Sequence, residues 1–161
     1  MISGRKVSAE HLRGAFFVLS VALCAIFLDR LSKCAACAAL ESGGSVAVIP
    51  SIFHLTLVRN TGAAFGMLKD GRLFFIGASV VAIIAIIAYI ARRSPKDMLV
   101  SLALGLILGG AAGNLADRVL YGYVIDFLDL RVWPVFNIAD SCITIGTIIL
   151  VLKICIPYSS K

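Results

Sequence analysis

The stretch LFFIGASVVAIIAIIAYIA, residues 73–91, carries no charged side chain, and a second uncharged run, MLVSLALGLILGGAAGNLA, follows at residues 98–116. Between them stand Arg92, Arg93, Ser94, Pro95, Lys96 and Asp97. Each run approaches the roughly 20 apolar residues that cross a bilayer core at about 1.5 Å rise per residue. The pair therefore reads as two membrane spans joined by a short basic turn. The second run is rich in small residues, and Gly105, Gly109, Gly110 and Gly113 would let neighbouring helices approach closely in lipid.

Working outward, residues 136–156 form a third apolar run, broken by Asn137, Asp140 and Lys153 near its ends. Upstream, residues 14–28 are uncharged, and the helical pattern continues through Asp29, Arg30 and Lys33 towards Leu40. No small-residue cleavage site follows, so this run is expected to be a retained first span rather than a signal-peptide core. Residues 41–72 differ in texture. Gly43, Gly44 and Pro50 break helix, while residues 46–49 and 53–58 are β-branched and aromatic, which predicts short strands. Asn60-Thr61-Gly62 predicts a turn. Residues 117–133 read as a polar, mixed connection.

The expected fold is a mainly α membrane protein, one domain over residues 1–161. Four transmembrane helices are expected at about residues 14–38, 73–91, 98–117 and 136–156. A small extracytoplasmic β-sheet platform, about residues 43–70, and a short extracytoplasmic connection complete it.

Composition agrees. Hydrophobic residues make up 60% of the 161 residues and charged residues 15%, against about 25% charged in soluble domains. The net charge of +6 sits in short segments between apolar runs. That distribution excludes the basic stripe of a nucleic-acid binder and points to membrane orientation. Basic residues crowd the N-terminus, the turn after the second span and the C-terminus, which all fall on one side of a four-span chain. The positive-inside tendency puts that side, with both termini, in the cytoplasm. The five cysteines, Cys24, Cys34, Cys37, Cys142 and Cys155, are an odd number and lie mostly in apolar runs. They read as buried thiols rather than a disulfide framework.

Polar residues gather at the opposite, outer surface. Asp29 and Lys33 stand one helical turn apart and can pair on one face. Asn114, Asp117 and Arg118 also share a face, and Asn137 and Asp140 share one at the start of the fourth span. Trp133 and Pro134 suit a helix start at the membrane interface. Each charge near a span costs free energy in lipid, so intramembrane ionisable groups are functional candidates. Two close aspartates can share one proton: the charged one takes a proton from water and the neutral one donates to a developing oxyanion. Spacing leaves open which two of Asp117, Asp126, Asp129 and Asp140 meet. His11 and His54 are too few and too far apart for a metal site, and Ser141 lacks a nucleophile elbow.

Four blocks, in order, resemble the lipoprotein signal peptidase (signal peptidase II) family. They are Asp29-Arg30-Leu31-Ser32-Lys33; Asn60-Thr61-Gly62-Ala63-Ala64-Phe65-Gly66; Gly113-Asn114-Leu115-Ala116-Asp117-Arg118, running on through Gly122 and Val124 to Asp126-Phe127; and Phe136-Asn137-Ile138-Ala139-Asp140-Ser141. The resemblance implies an aspartic endopeptidase of the bacterial cytoplasmic (inner) membrane with no metal or cofactor. Asp126 and Asp140 would be its catalytic pair. Asn60, Asn114, Arg118 and Asn137 would line the site, with Asp29, Lys33 and Asp117 supporting it. The implied substrate is a prolipoprotein with a diacylglyceryl-modified cysteine, cut just before that cysteine near the outer face of the membrane; a monomer embedded in membrane lipid is expected because all four blocks lie within one chain. Gly62 and Gly66 would let the β platform flex as a lid. Ser32 stands where the family more often has Thr, Asp129 adds a third nearby acid, and Cys34 and Cys37 have no place in the pattern.

Two rival readings follow from other features. Cys34-Ala35-Ala36-Cys37 suits a membrane thiol oxidase, although a relay needs a second outward pair, and Cys142 and Cys155 lie far apart along the last span. A small proton-coupled transporter would use intramembrane acids, but those should run along a route through the membrane, and here they collect at one surface.

Overall fold

The computed structural model describes residues 9–40, 44–62, 71–93, 95 and 97–156. Four helices carry the chain: α1 (Ala9–Ala39), α2 (Arg72–Arg93), α3 (Met98–Leu120) and α4 (Ile138–Cys155). Three strands, β1 (Ser45–Ile49), β2 (Phe53–Asn60) and β3 (Val124–Asp129), form an antiparallel sheet in the order β1-β2-β3. All four helices are long and apolar enough to cross a membrane. Their outer faces show why. Phe16, Leu73 and Ile154 are 73%, 82% and 72% exposed, which lipid tolerates and water would not over so wide a surface.

The helix α3 is the hub. Its glycines meet neighbouring backbones: a Cβ on Gly105 would lie 2.8 Å from the Val18 carbonyl oxygen, and one on Gly109 would lie 2.6 Å from that of Ala22. Gly110 abuts the Ala139 carbonyl oxygen in the same way. Val18, Ala22, Ile86, Ile90, Leu104 and Leu108 fill the interior between α1, α2 and α3. At the end away from the sheet, Asp97 caps α3 by accepting from Leu99 N at 2.8 Å, and Lys153 of α4 reaches the same carboxylate at 2.7 Å.

The sheet sits where α1 ends and α4 begins. Leu57 and Phe127 pack on Ala36 of α1 and on Leu40 just beyond it, and fasten the sheet to the bundle. The chain from 117 to 133 departs from the expected loose connection. Helix α3 runs on to Leu120, and Val124–Asp129 is a third strand paired with β2 from Asn60↔Val124 to His54↔Asp129. Its alternation is masked because Val124, Asp126, Phe127 and Asp129 are all buried, so both faces of the strand are covered. The last span also starts later than expected. Asn137 is extended at φ −135° and caps α4, which begins at Ile138. Asn137 and Asp140 are thus cap and third residue rather than two positions on one helix face. Of the expected β region, residue 43 and residues 63–70 lie outside the described residues, and with them Gly66 and the rest of the second block beyond Gly62.

Candidate active site

Every sequence-predicted site residue lies at the sheet end of the bundle, because both sheet-bearing connections leave the helices there. A cavity of about 350 Å³ opens among β2, β3 and helices α2, α3 and α4. Asn60, Gly62, Asn114, Arg118, Asp126 and Asp140 line it, with an apolar wall that includes Phe75, Trp133 and Phe136. Of the four acids whose meeting spacing left open, Asp126 and Asp140 face this cavity. Asp117 turns behind it to Lys33 at 2.8 Å. Asp129 turns away and accepts from Thr56 Oγ1 at 2.9 Å and from the backbone N–H of Arg131 at 2.8 Å.

Asn137 joins the two cavity acids. Its Nδ2 donates to Asp126 Oδ1 at 2.6 Å, while its Oδ1 accepts from Asp140 N at 2.8 Å and its own N–H donates to Asp140 Oδ2 at 3.3 Å. The reciprocal bonds with Asp140 are a capping box, which satisfies two donors that a helix start leaves free. The cap that starts α4 therefore also orients both carboxyls. Asn60 Nδ2 holds Asp126 Oδ2 at 2.9 Å, and Asn60 Oδ1 accepts from Gly62 N at 3.0 Å, which makes the turn predicted there. Asn114 Nδ2 holds Asp140 Oδ1 at 2.7 Å.

Asp126 is 1% exposed. Burial pushes its carboxyl up to about 7; the charge of Asp140 adds to the rise, and Asn60, Asn137 and Lys33 oppose it. A buried acid beside a second acid keeps its proton to higher pH. The guanidinium of Arg118 lies 5.0 Å from the centre of the Phe75 ring and brings positive charge to the cavity wall.

Behind the cavity is a closed set of charges. Lys33 Nζ contacts Asp29 Oδ2 at 2.8 Å, as the one-turn spacing predicts, and Asn114 Oδ1 at 3.2 Å. Arg30 joins it through a 2.6 Å bond to Asp117 Oδ1 and a 3.0 Å bond to the Gly113 carbonyl oxygen. Sequence reasoning gave Arg30 and Phe75 no site role. Arg30 carried a signal, a second cation in the first polar block, whereas Phe75 is one aromatic among many in an apolar run. Contrary to the expectation of buried thiols, Cys24, Cys34, Cys37 and Cys155 are exposed on the helices and Cys142 is half-buried, and Cys34 and Cys37 do not line the cavity.

The sequence profile of the family described as signal peptidase (SPase) II matches residues 21–156. The chain belongs to the signal peptidase II family. A lipoprotein signal peptidase of Moorella thermoacetica is 47% identical over 143 residues, covering 89% of this chain and 95% of the relative. One from Caldanaerobacter subterraneus is 51% identical over 126 residues, covering 78% of this chain and 86% of the relative. A solved bacterial membrane enzyme superposes with a TM-score of 0.82 at 32% identity, covering 89% of this chain and 90% of the other. Family membership makes the chain a peptidase, and with its four apolar helices a multi-pass membrane protein.

Proposed function

We propose that the protein is an aspartic endopeptidase that removes signal peptides from diacylglyceryl-modified prolipoproteins, cutting just before the lipidated cysteine. One observation carries the reading: Asp126 and Asp140 face the same cavity and are joined through Asn137. The pair shares one proton, because two carboxyls on one cavity do not readily both ionise; Asp126 carries it at the start of the cycle. Asp140 then takes a proton from a water whose oxygen attacks the scissile carbonyl carbon. Asp126 gives its proton to the carbonyl oxygen, forming a tetrahedral diol. When the C–N bond breaks, Asp140 returns its proton to the leaving nitrogen and Asp126 regains one from the diol, so the pair ends as it began.

Asn60, Asn114 and Asn137 hold the carboxyls, and Arg118 meets the substrate backbone. An apolar cleft of about 380 Å³ beside Asp140, lined by residues such as Leu130, Trp133, Phe136 and Ile145, suits an acyl chain. The basic residues away from the sheet favour a cytoplasmic (inner) membrane orientation with both termini inside and the site near the outer face. Gly62 would serve as a hinge of the platform. One chain carries every part named, so a monomer suffices.

The test is cleavage of a diacylglyceryl-modified prolipoprotein by the wild type, Asp126→Asn and Asp140→Asn in one detergent. Folded but inactive variants are expected. Cleavage by both at the wild-type rate would remove the dyad.

A further inference from the structure

Two backbone N–H groups at the site are held from behind. Ile125, the residue before Asp126, donates to Asp117 Oδ2 at 3.3 Å. Ala139, the residue before Asp140, donates to Asp29 Oδ1 at 3.0 Å. The two acceptors come from different helices, α3 and α1. Two cations bridge them: Arg30 Nη2 lies 3.3 Å from Asp29 Oδ2 and 2.6 Å from Asp117 Oδ1, and the more deeply buried Lys33 Nζ lies 2.8 Å from Asp29 Oδ2 and 2.8 Å from Asp117 Oδ2. The third contact of Lys33 is Asn114 Oδ1 at 3.2 Å. An ammonium has three donors, so Lys33 uses its full capacity, and it is 2% exposed.

We propose that Lys33 is a positioning residue that sets the separation of Asp126 and Asp140. It ties together the two carboxylates that grip the chain immediately before each, and it fixes the Asn114 amide. Asn114 Oδ1 is taken by Lys33 and by Asn137 Nδ2 at 3.1 Å. Its Nδ2 must then face Asp140, which removes the usual ambiguity of an amide flip. Arg30 completes the charge balance, two cations against two anions, through its bonds to Asp117 and Asp29. Buried ion clusters add little stability compared with apolar packing of the same volume. Their value here is geometric: α1 lines no part of the cavity, yet through Asp29, Arg30 and Lys33 it holds the chain before both acids, and Lys33 is the member that also holds Asn114. The inference rests on the dyad reading above.

The experiment compares Lys33→Met and Lys33→Gln with the wild type, Asp126→Asn and Asp140→Asn on the same lipidated substrate in the same detergent. Lys33→Met leaves two buried carboxylates to one cation and is expected to be less stable than wild type; its folded fraction is expected to show kcat down roughly 100-fold, the scale of a small misplacement of reacting groups, and KM within about threefold. Lys33→Gln, which still donates to Asn114, is expected to recover part of kcat. A folded Lys33→Met with wild-type kcat overturns the proposal. So does a raised KM at unchanged kcat, which would mean that Lys33 meets substrate. Failure of both Lys33 variants to fold makes the residue structural and also overturns it. If Asp126→Asn and Asp140→Asn cut normally, the dyad reading falls instead, whatever Lys33 does.

Discussion

Replacing Asp126 by Asn removes an acid that the fold holds at about 7 from an ordinary value of 3.8. The folded state binds that proton more tightly than the unfolded chain. Its contribution to stability is therefore complete below pH 3.8 and is lost as pH rises through about 7. The shift is about 3 units, each about 1.4 kcal/mol, so the wild type loses about 4 kcal/mol across that window. Asn does not titrate and escapes this loss. It has its own cost, because Asn60 Nδ2 and Asn137 Nδ2 both donate to Asp126 and an amide offers one oxygen. A buried donor left without its acceptor costs about 1–3 kcal/mol. At pH 4 the variant should be less stable than wild type by that amount. At pH 8 it should be more stable by roughly 1–3 kcal/mol, with the curves crossing in between. Unfolding in mixed micelles, followed by the fluorescence of the single tryptophan, Trp133, measures both proteins at each pH. A stability difference that stays constant from pH 4 to pH 8 would refute the argument that burial and the second acid raise Asp126.

Asn137→Ala should lose the cap of α4, worth about 0.5–2 kcal/mol, and the link between the two acids. Cleavage at saturating substrate should fall by roughly 100-fold, read in the same peptidase assay. Gly109→Ala should be destabilised by about 1–3 kcal/mol, because its methyl would lie 2.6 Å from the Ala22 carbonyl oxygen and 2.7 Å from Ala25 Cβ. Gly77→Ala, with nothing within 4 Å of the new methyl, should unfold no earlier than wild type in the same denaturation. Cys34→Ser with Cys37→Ser should leave cleavage unchanged, whereas a thiol oxidase would be abolished.

The four spans were legible because a bilayer imposes a minimum apolar length, which the later runs approach and the first reaches once its helical pattern continues past Asp29 towards Leu40. The first two strands were legible because Gly and Pro punctuate β-branched runs around residues 44–60. The third strand was not. Its residues alternate in burial less cleanly than in a half-exposed strand, since β3 is covered by β2 on one edge and by the helices on its inner face. The start of α4 was misjudged for a related reason. Asn137 looks like one more helical position until its side chain is seen closing on Asp140.

Sequence alone determined that this chain crosses a membrane four times and gathers its polar residues at one end, because those properties depend on local composition and length. The one-turn spacing of Asp29 and Lys33 likewise determined their pairing within α1. Only the tertiary structure decided which acids meet. Asp126 arrives on a strand and Asp140 on the first turn of a helix, and they share a cavity because β3 pairs with β2 while Asn137 caps α4. Asp117, as polar and as near in sequence, is drawn away by Lys33 and Arg30. Such choices rest on contacts between segments tens of residues apart, where a buried charge must find its partner, and no local pattern encodes that partner.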